Sequence, residues 1–208
     1  MRLIDVEKKL KALEQPLFHS SDAATLLNVS RAHASKMMNR LEECGALIRL
    51  TRGRWMISED VERLLIPEFL TAPAPSYISL QTALFHHGMI SQIPSVVYAI
   101  TASKTRRYQT PAGVFSLHHV EPRFFFGFSS VGNHGIKMAS PEKALIDFFY
   151  LSPARSKIFR TLPELEFPKG FSVTKAREAI SQIHSESRRT TVEQKFETCN
   201  QLARKRPL

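Results

Sequence analysis

Arginine, lysine and asparagine side chains concentrate between Ser30 and Arg54, and these residue types contact nucleic-acid bases and phosphates. This stretch holds six Lys/Arg and two Asp/Glu, a local balance of +4. Guanidinium and ammonium groups donate to guanine edges and phosphates, and an asparagine amide pairs with adenine. The composition therefore predicts contact with duplex DNA. The predicted DNA-binding residues are Ser30, Arg31, Ser35, Lys36, Asn39, Arg49, Arg52 and Arg54.

A helix must position the first five of these residues. Ala34, Met38 and Leu41 recur at helical spacing and predict one apolar face, which leaves the cationic side chains on the other. Ser30 is suited to cap the start of this helix. Gly45 is suited to end it, because glycine adopts the left-handed conformation without a steric penalty.

A basic hairpin is predicted to follow the helix. Leu47–Thr51 and Arg54–Ser58 flank a tight Arg52-Gly53 turn. Before them we expect a helix over residues 4–13, a short strand over 17–19, and a helix over 22–27 capped by Ser20 or Ser21. This order predicts a winged helix-turn-helix over residues 1–71. Two alternatives remain: a small helical domain with an inert hairpin, and a winged helix that docks proteins.

The rest of the chain, residues 72–208, carries most of the net charge of +10. Its Lys/Arg exceed its Asp/Glu by 9, whereas residues 1–71 have an excess of 1. The Pro/Ala-rich TAPAPS segment, Thr71–Ser76, predicts a linker between the two parts. Beyond it Ser79 is suited to cap a helix over residues 80–87, and the basic connection SKTRRYQTPAG separates two β-rich segments, 96–101 and 113–120. Phe124–Phe126 predict a buried strand, and helix patterns follow. This part is therefore expected to be a mixed α/β domain, and the whole chain α+β. A basic excess of this size favours nucleic acid as a partner.

Residues suited to catalysis or metal binding are not grouped in this sequence. Cys44 and Cys199 lie far apart without a metal-binding spacing, and the adjacent His118 and His119 would point to opposite faces of a strand. Glu142 is explained by its place in the first turn of a helix. We expect no catalytic residue, no metal and no cofactor.

Membrane and secretory signals are not evident. No apolar run approaches the roughly 18 residues that a membrane-spanning helix needs, and MRLIDVEKKL has no secretory pattern. A cytoplasmic protein without a membrane partner is therefore expected.

Three segments resemble AbiEi-type antitoxins, the antitoxin halves of abortive-infection toxin–antitoxin pairs. They are PSYISLQTALFHHGMI, VVYAITASKTRRYQTPAGVFSLHHV and MASPEKALIDFFYL. The resemblance covers nearly the whole chain, since the family also begins with a winged helix, although residues 155–208 are not assigned a role by it. It implies repression of the chain's own operon by binding inverted repeats in promoter DNA. It also implies antagonism of a partner nucleotidyltransferase toxin of a type IV system, directly or through the toxin's substrate.

The same resemblance implies an antitoxin surface formed by Lys104, Arg106, Arg107, Glu142 and Lys143. A related hypothesis groups the first three with Arg123 and Lys137 on one positive face that extends DNA contact or competes for the toxin's substrate. The alternative is that these charges are spread evenly. Self-association on DNA is a further possibility. The alternative function is a plain winged-helix regulator whose second domain senses a ligand or dimerises, and an enzymatic second domain ranks third.

Overall fold

The computed structural model describes residues 2–13, 15–57, 61–152 and 165–204, which form a mixed α+β fold. Its helices are α1 (Leu3–Lys11), α2 (Ser20–Leu27), α3 (Arg31–Glu43), α4 (Ile66–Thr71), α5 (Leu80–His86), α6 (Pro141–Leu151), α7 (Val173–Ser181) and α8 (Glu186–Arg204). Its strands are β1 (Leu17–His19), β2 (Leu47–Thr51), β3 (Arg54–Ile57), β4 (Ser76–Ile78), β5 (Val96–Thr101), β6 (Arg106–Thr110), β7 (Gly113–His119), β8 (Phe128–Val131) and β9 (Ile136–Ala139). Short 3-10 turns cover Arg63–Leu65 and Pro122–Phe124.

Helices α1 to α3 pack beside a three-stranded antiparallel sheet of order β1-β3-β2. Two features of α3 follow the sequence closely. The Ser30 hydroxyl caps it by accepting the His33 N–H at 3.2 Å. The helix is closed by Gly45, which has φ of +75° and lets Ala46 N–H reach the Leu41 carbonyl at 2.9 Å. Both contacts satisfy backbone groups that a helix end otherwise leaves unpaired.

This small sheet is buried on both faces. Trp55 and Ile57 of β3 pack into a smaller core with the first three helices, whereas Met56 between them packs into a larger core. The alternation follows from strand geometry, since successive side chains point to opposite faces. On β2, Leu47 and Leu50 divide between the two cores in the same way. The hairpin therefore joins the two parts of the molecule.

The larger core is built on a six-stranded sheet of order β6-β7-β5-β4-β9-β8. Strands β5 and β7 run parallel, as do β4 and β9, and the remaining neighbours are antiparallel. Helix α6 contacts α5, α7 and α8, and every residue from Glu142 to Tyr150 is buried. This helix forms the centre of the second part of the molecule.

The end of the first part belongs structurally to the larger core. Helix α4, which the sequence patterns did not predict, places Ile66 and Leu70 in that core. The predicted TAPAPS linker begins at the last residue of α4 and ends at the first residue of β4, where Ser76 is buried. A division of the chain at residue 71 stays a prediction.

Four local predictions were wrong. The N-cap of α2 is His19 and not Ser20 or Ser21, because the helix already begins at Ser20 and the Asp22 carboxylate accepts the His19 N–H at 2.8 Å. Ser79 precedes α5 without a side-chain cap, since its hydroxyl donates to Asp147. The predicted basic connection after β5 contains strand β6. No strand covers Phe124–Phe126, since a 3-10 turn ends at Phe124 and the next strand begins at Phe128.

Candidate nucleic-acid interface

Helix α3 separates apolar and cationic side chains on two faces. Ala34, Met38 and Leu41 are at most 2% exposed, while Arg31 and Lys36 are exposed. The apolar side chains anchor the helix on the smaller core, so the opposite face is left for a partner. His33 and Arg40 are exposed on the same helix and were not among the predicted contacts, although both lie near Lys36 at helical spacing.

The N-terminal end of α3 holds the two predicted serines in different settings. Ser30 is exposed, but its hydroxyl oxygen already accepts the His33 N–H. Its O–H hydrogen is the group that can donate to a phosphate. Ser35 is half-buried. The first turn of a helix also presents backbone amides and a partial positive charge, both of which favour phosphate.

Asn39 is exposed, and Arg49 of strand β2 fixes its orientation. Nη2 of Arg49 donates to Asn39 Oδ1 at 2.7 Å and to Glu42 Oε2 at 2.6 Å. The Arg49 guanidinium also lies 4.7 Å from the centre of the Trp55 ring. Because Arg49 engages the amide oxygen, the NH₂ group of Asn39 points away as a donor. An amide oriented in this way donates to a purine N7 or another base acceptor.

Arg49, which the sequence predicted as a DNA-binding residue, is consequently not a free side chain of the β2–β3 hairpin. Strand alternation places its side chain on the α3 side of β2, together with Leu47. There it is half-buried and bound to Glu42 and Asn39. Arg49 orients Asn39 and places positive charge beside α3.

Arg52 and Arg54 differ sharply although only Gly53 separates them. Arg52 is exposed at the hairpin turn. Arg54 shares a strand face with Met56, turns toward the second part of the molecule, and donates through Nη2 to the Ala72 carbonyl at 3.3 Å. The prediction that both contact DNA needs correction for Arg54, because the alternation of β3 directs its half-buried side chain inward.

The predicted antitoxin surface divides into an exposed and a buried group. Lys104, Arg106 and Arg107 are exposed, the last two on the edge strand β6. Glu142 and Lys143 are 5% and 2% exposed, so they do not form a surface. The reason is that α6 is enclosed by three other helices and by the aromatic residues near β4 and β8, which a local sequence motif does not reveal.

Lys143 belongs to a buried polar network that the sequence analysis missed. It forms an ion pair with Asp147, one helical turn away and 0% exposed. The Lys143 ammonium lies 3.0 Å from the Tyr77 hydroxyl, while Tyr77 and Ser79 donate to Asp147 Oδ2 at 3.0 and 2.7 Å. The spacing of Lys143 and Asp147 is the one available sequence signal, since residues four apart share a helix face.

Burial opposes the charges in this network. It lowers the pKa of Lys143 and raises that of Asp147, and the opposite charge of each partner counters the effect on the other. Burial and the neighbouring Asp147 raise the pKa of Tyr77. The ammonium also lies 3.9 Å from the centre of the Phe124 ring. The network joins α6 to β4.

Glu142 has a separate structural role. Its Oε1 accepts the Ser172 N–H at 2.9 Å, at the residue that caps α7. Glu142 therefore links the starts of α6 and α7. It also lines a cleft of about 510 Å³ between these helices and the segment around Phe126. The remaining lining residues are Gly127, Ser140, Lys143, Lys175, Glu178, Ala179 and Gln182.

Strand β6 brings its basic residues toward the first part of the chain. It lies against β2, the outer strand of the small sheet. The turn between β6 and β7 also contacts the first part of the chain. The Arg63 guanidinium packs against Gly113 so closely that a Cβ added to this glycine would lie 2.0 Å from Nη2. The exposed Arg106 and Arg107 therefore lie on the edge strand that adjoins the hairpin β2–β3, with their side chains on opposite faces of the larger sheet.

Lys137 does not belong with these residues. It lies on β9, four strands from β6 in the sheet order, which corresponds to roughly 19 Å at the usual strand spacing. Its ammonium forms an ion pair with Glu68. The hypothesis of one positive face is therefore wrong for Lys137, and the clustered part reduces to the group on and beside β6.

A buried histidine lies on strand β7 next to the basic edge. His118 Nε2 is 3.0 Å from Ser116 Oγ, and burial lowers the pKa of His118 to about 4. Its neighbour His119 is exposed, as the strand alternation predicted. The described residues contain no group of three His, Cys, Asp or Glu side chains that could hold a metal ion.

None of the helices in the described part of the chain combines the length and apolar character that crossing a membrane requires. Comparison of the sequence with known families and curated proteins finds no matching family model and no matching curated protein.

Proposed function

We propose that this chain is an antitoxin that represses its own operon and antagonises a partner nucleotidyltransferase toxin. Residues 1–71 would act as a winged helix-turn-helix on inverted repeats in promoter DNA, and residues 72–208 would act on the toxin directly or through its substrate. The observation that carries this proposal is α3, which buries Ala34 and Met38 and exposes Arg31 and Lys36. The motifs that resemble AbiEi-type antitoxins support the same function.

In this proposal α3 enters the major groove. Arg31 and Lys36 contact guanine edges or phosphates, and Asn39 donates its oriented NH₂ group to a base. Ser30 and the amides of the first turn contact phosphate. Arg52 reaches the backbone or the minor groove from the hairpin turn. A helix buried on one face and cationic on the other meets the two requirements of groove binding.

The second part contributes positive charge beside the hairpin. Lys104, Arg106 and Arg107 are exposed, and β6 lies against β2. Phosphates that leave the α3 contact would meet these side chains, and each neutralised phosphate adds to affinity by releasing counterions. The same residues would compete for a nucleic-acid substrate of the toxin. We propose that the chain does this in the cytoplasm without a catalytic residue, metal or cofactor.

A promoter-fragment shift assay tests the DNA-binding half of the proposal. Changing Arg31, Lys36 and Asn39 together to Ala should abolish the sequence preference and lower affinity, because it removes the exposed contact groups and leaves the buried face intact. The matched control changes Lys8 and Lys9, exposed on α1, to Ala. Equal binding by the triple variant and the control would reject the assignment.

Co-expression with a nucleotidyltransferase toxin encoded beside this gene tests the antitoxin half. The full chain should restore growth, and the Arg106→Ala/Arg107→Ala double variant should restore it less well. Failure of the wild-type chain to rescue growth, with promoter binding retained, would favour a plain regulator.

The second candidate function is a regulator that senses a small molecule. The cleft of about 510 Å³ favours it, because that volume suits a small ligand. Carboxylates of Glu142 and Glu178 and the ammonium of Lys175 line this space, so a polar ligand with both charges would fit best. A Glu178→Gln change that alters the release of promoter DNA by cell metabolites would support this candidate.

A further inference from the structure

We infer that β8, the neutral edge of the six-stranded sheet, is a docking surface for the β8 strand of a second copy of this chain. Among the described residues β8 pairs with β9 alone, and it is the last strand of the sheet order. Ser129 and Ser130 are exposed there. Phe128 is half-buried, and its ring stacks on Tyr77 with centroids 4.7 Å apart, so the strand is anchored to the core.

The hydrogen-bond pattern of the β8–β9 pair identifies the backbone groups at the free edge. The Ser140 N–H donates to the Gly127 carbonyl at 3.0 Å, one step beyond the pair of Phe128 with Ala139. Hydrogen-bonded and non-hydrogen-bonded pairs alternate along antiparallel strands. The backbone groups of Ser129 therefore point toward β9, and those of Phe128 and Ser130 point away from the sheet.

These outward groups are complementary to themselves. If two β8 strands meet antiparallel with a two-fold axis at Ser129, Phe128 of one copy faces Ser130 of the other. Each such pair exchanges two hydrogen bonds, which gives four across the axis. A symmetric contact of this kind uses the same patch on both copies and closes after two. The two six-stranded sheets then become one continuous sheet.

Charge favours this edge over the opposite one for self-association. Two copies of a chain with net charge +10 repel each other, so a contact between them needs a neutral surface. Strand β6 carries Arg106 and Arg107, and like charges directly opposite destabilise a strand pair. Strand β8 has the sequence FSSV, without the Lys or Pro that usually protects an exposed edge. Lys137, which lies opposite Ser130 on β9, is paired with Glu68.

Self-association through β8 does not depend on the proposed function, and it can be measured without DNA. A two-fold pair would nonetheless present two α3 helices to the two halves of an inverted repeat, because protein and operator symmetry match in such complexes.

Sedimentation equilibrium of the full-length chain over a wide concentration range tests the inference. The average mass of the wild type should rise from 23.6 kDa toward twice that value. Ser130→Pro removes an N–H that points away from β9, so the fold should survive while association falls below detection. Gln109→Lys on the opposite edge strand is the matched control and should associate as the wild type does. Circular dichroism checks the fold of each variant.

Charged substitutions at Ser129, on the proposed two-fold axis, provide a second, independent test. Ser129→Lys and Ser129→Glu each place like charges opposite one another and should weaken association about fivefold or more. An equal mixture of the two should associate at least as well as the wild type. Two results would overturn the inference: a wild type that stays monomeric at every concentration, or association that none of the β8 changes alters.

Discussion

Helices α3 and α6 begin alike and end in different surroundings. Each starts with a serine whose hydroxyl accepts the N–H three residues later at 3.2 Å, Ser30 from His33 and Ser140 from Lys143. Helix α3 nevertheless exposes Lys36, whereas α6 buries Lys143 to 2% exposure. The cap fixes where a helix starts, but the neighbouring elements decide whether its lysine meets solvent or core.

This difference assigns opposite roles to the two lysines. Lys36 is exposed and does not neutralise a buried charge. A ligand can therefore bind its ammonium group with little effect on the stability of the fold. Lys143 is removed from water and depends on Asp147, Tyr77 and the surrounding aromatic rings. In the proposed function Lys36 serves binding, whereas Lys143 holds the fold together.

Removal of one partner from the buried pair should have the largest effect. Lys143→Ala leaves the Asp147 charge buried without its counter-ion, and such losses cost about 3–5 kcal/mol. Urea unfolding should show this decrease, whereas Lys36→Ala should change the unfolding free energy by less than about 0.5 kcal/mol. Equal effects of the two changes would contradict the contrast between the helices.

The double variant Lys143→Met/Asp147→Leu separates charge from packing in the same pair. Apolar replacements of similar volume often leave stability unchanged or raise it, because the cost of desolvating two charges disappears. We expect this variant to be clearly more stable than Lys143→Ala. A double variant as unstable as the single one would show that the network stabilises through its hydrogen bonds to Tyr77 and Ser79.

The buried His118 should make stability depend on pH, with the next largest effect. Its folded pKa of about 4 lies below the ordinary 6.5, so the unfolded chain binds more protons between these values. The stability that comes from neutral His118 is complete above pH 6.5 and is lost as the pH falls through about 4, by about 3 kcal/mol at most. The unfolding free energy should therefore change less with pH across this range in His118→Gln than in the wild type. A slope as steep as the wild type's would contradict the assignment.

Arg52 and Arg54 of the β2–β3 hairpin should differ in the same way, with smaller effects on stability and DNA affinity. Arg54→Ala removes the hydrogen bond to the Ala72 carbonyl and should cost about 1 kcal/mol of stability with little change in DNA affinity. Arg52→Ala should do the reverse, because Arg52 is exposed at the turn. Thermal unfolding and promoter binding of both variants measure this. Loss of DNA binding by Arg54→Ala alone would restore it as a contact residue.

The sequence patterns predicted the first part of the fold more closely than the second. Ser30, Gly45 and the periodic Ala34, Met38 and Leu41 are local signals, and the structure follows them in α3. Alternation around Trp55 could also have shown that Arg49 and Arg54 point to opposite sides. The sequence alone does not reveal that both faces of the hairpin are covered, so this alternation could not be turned into a prediction.

Predictions failed where distant elements decide the environment. Ser79 looks like a helix cap, but Asp147, which is 68 residues away in the chain, accepts its hydroxyl hydrogen. Glu142 and Lys143 look like a charged surface, but the helices packed around α6 and the rings of Tyr77 and Phe124 bury them. The basic residues of β6 were found from composition, but their position beside β2 follows from the strand order.

The salt dependence of promoter binding by wild type, Lys36→Ala and Asn39→Ala tests the central claim most directly, namely that the exposed face of α3 binds duplex DNA. Lys36→Ala should weaken binding to promoter and unrelated duplexes alike and lower the slope of log affinity against log salt by about one, as expected for a lost phosphate contact. Asn39→Ala should keep the slope and reduce the preference for the promoter. Affinity, slope and preference that remain those of the wild type in both variants would contradict the claim.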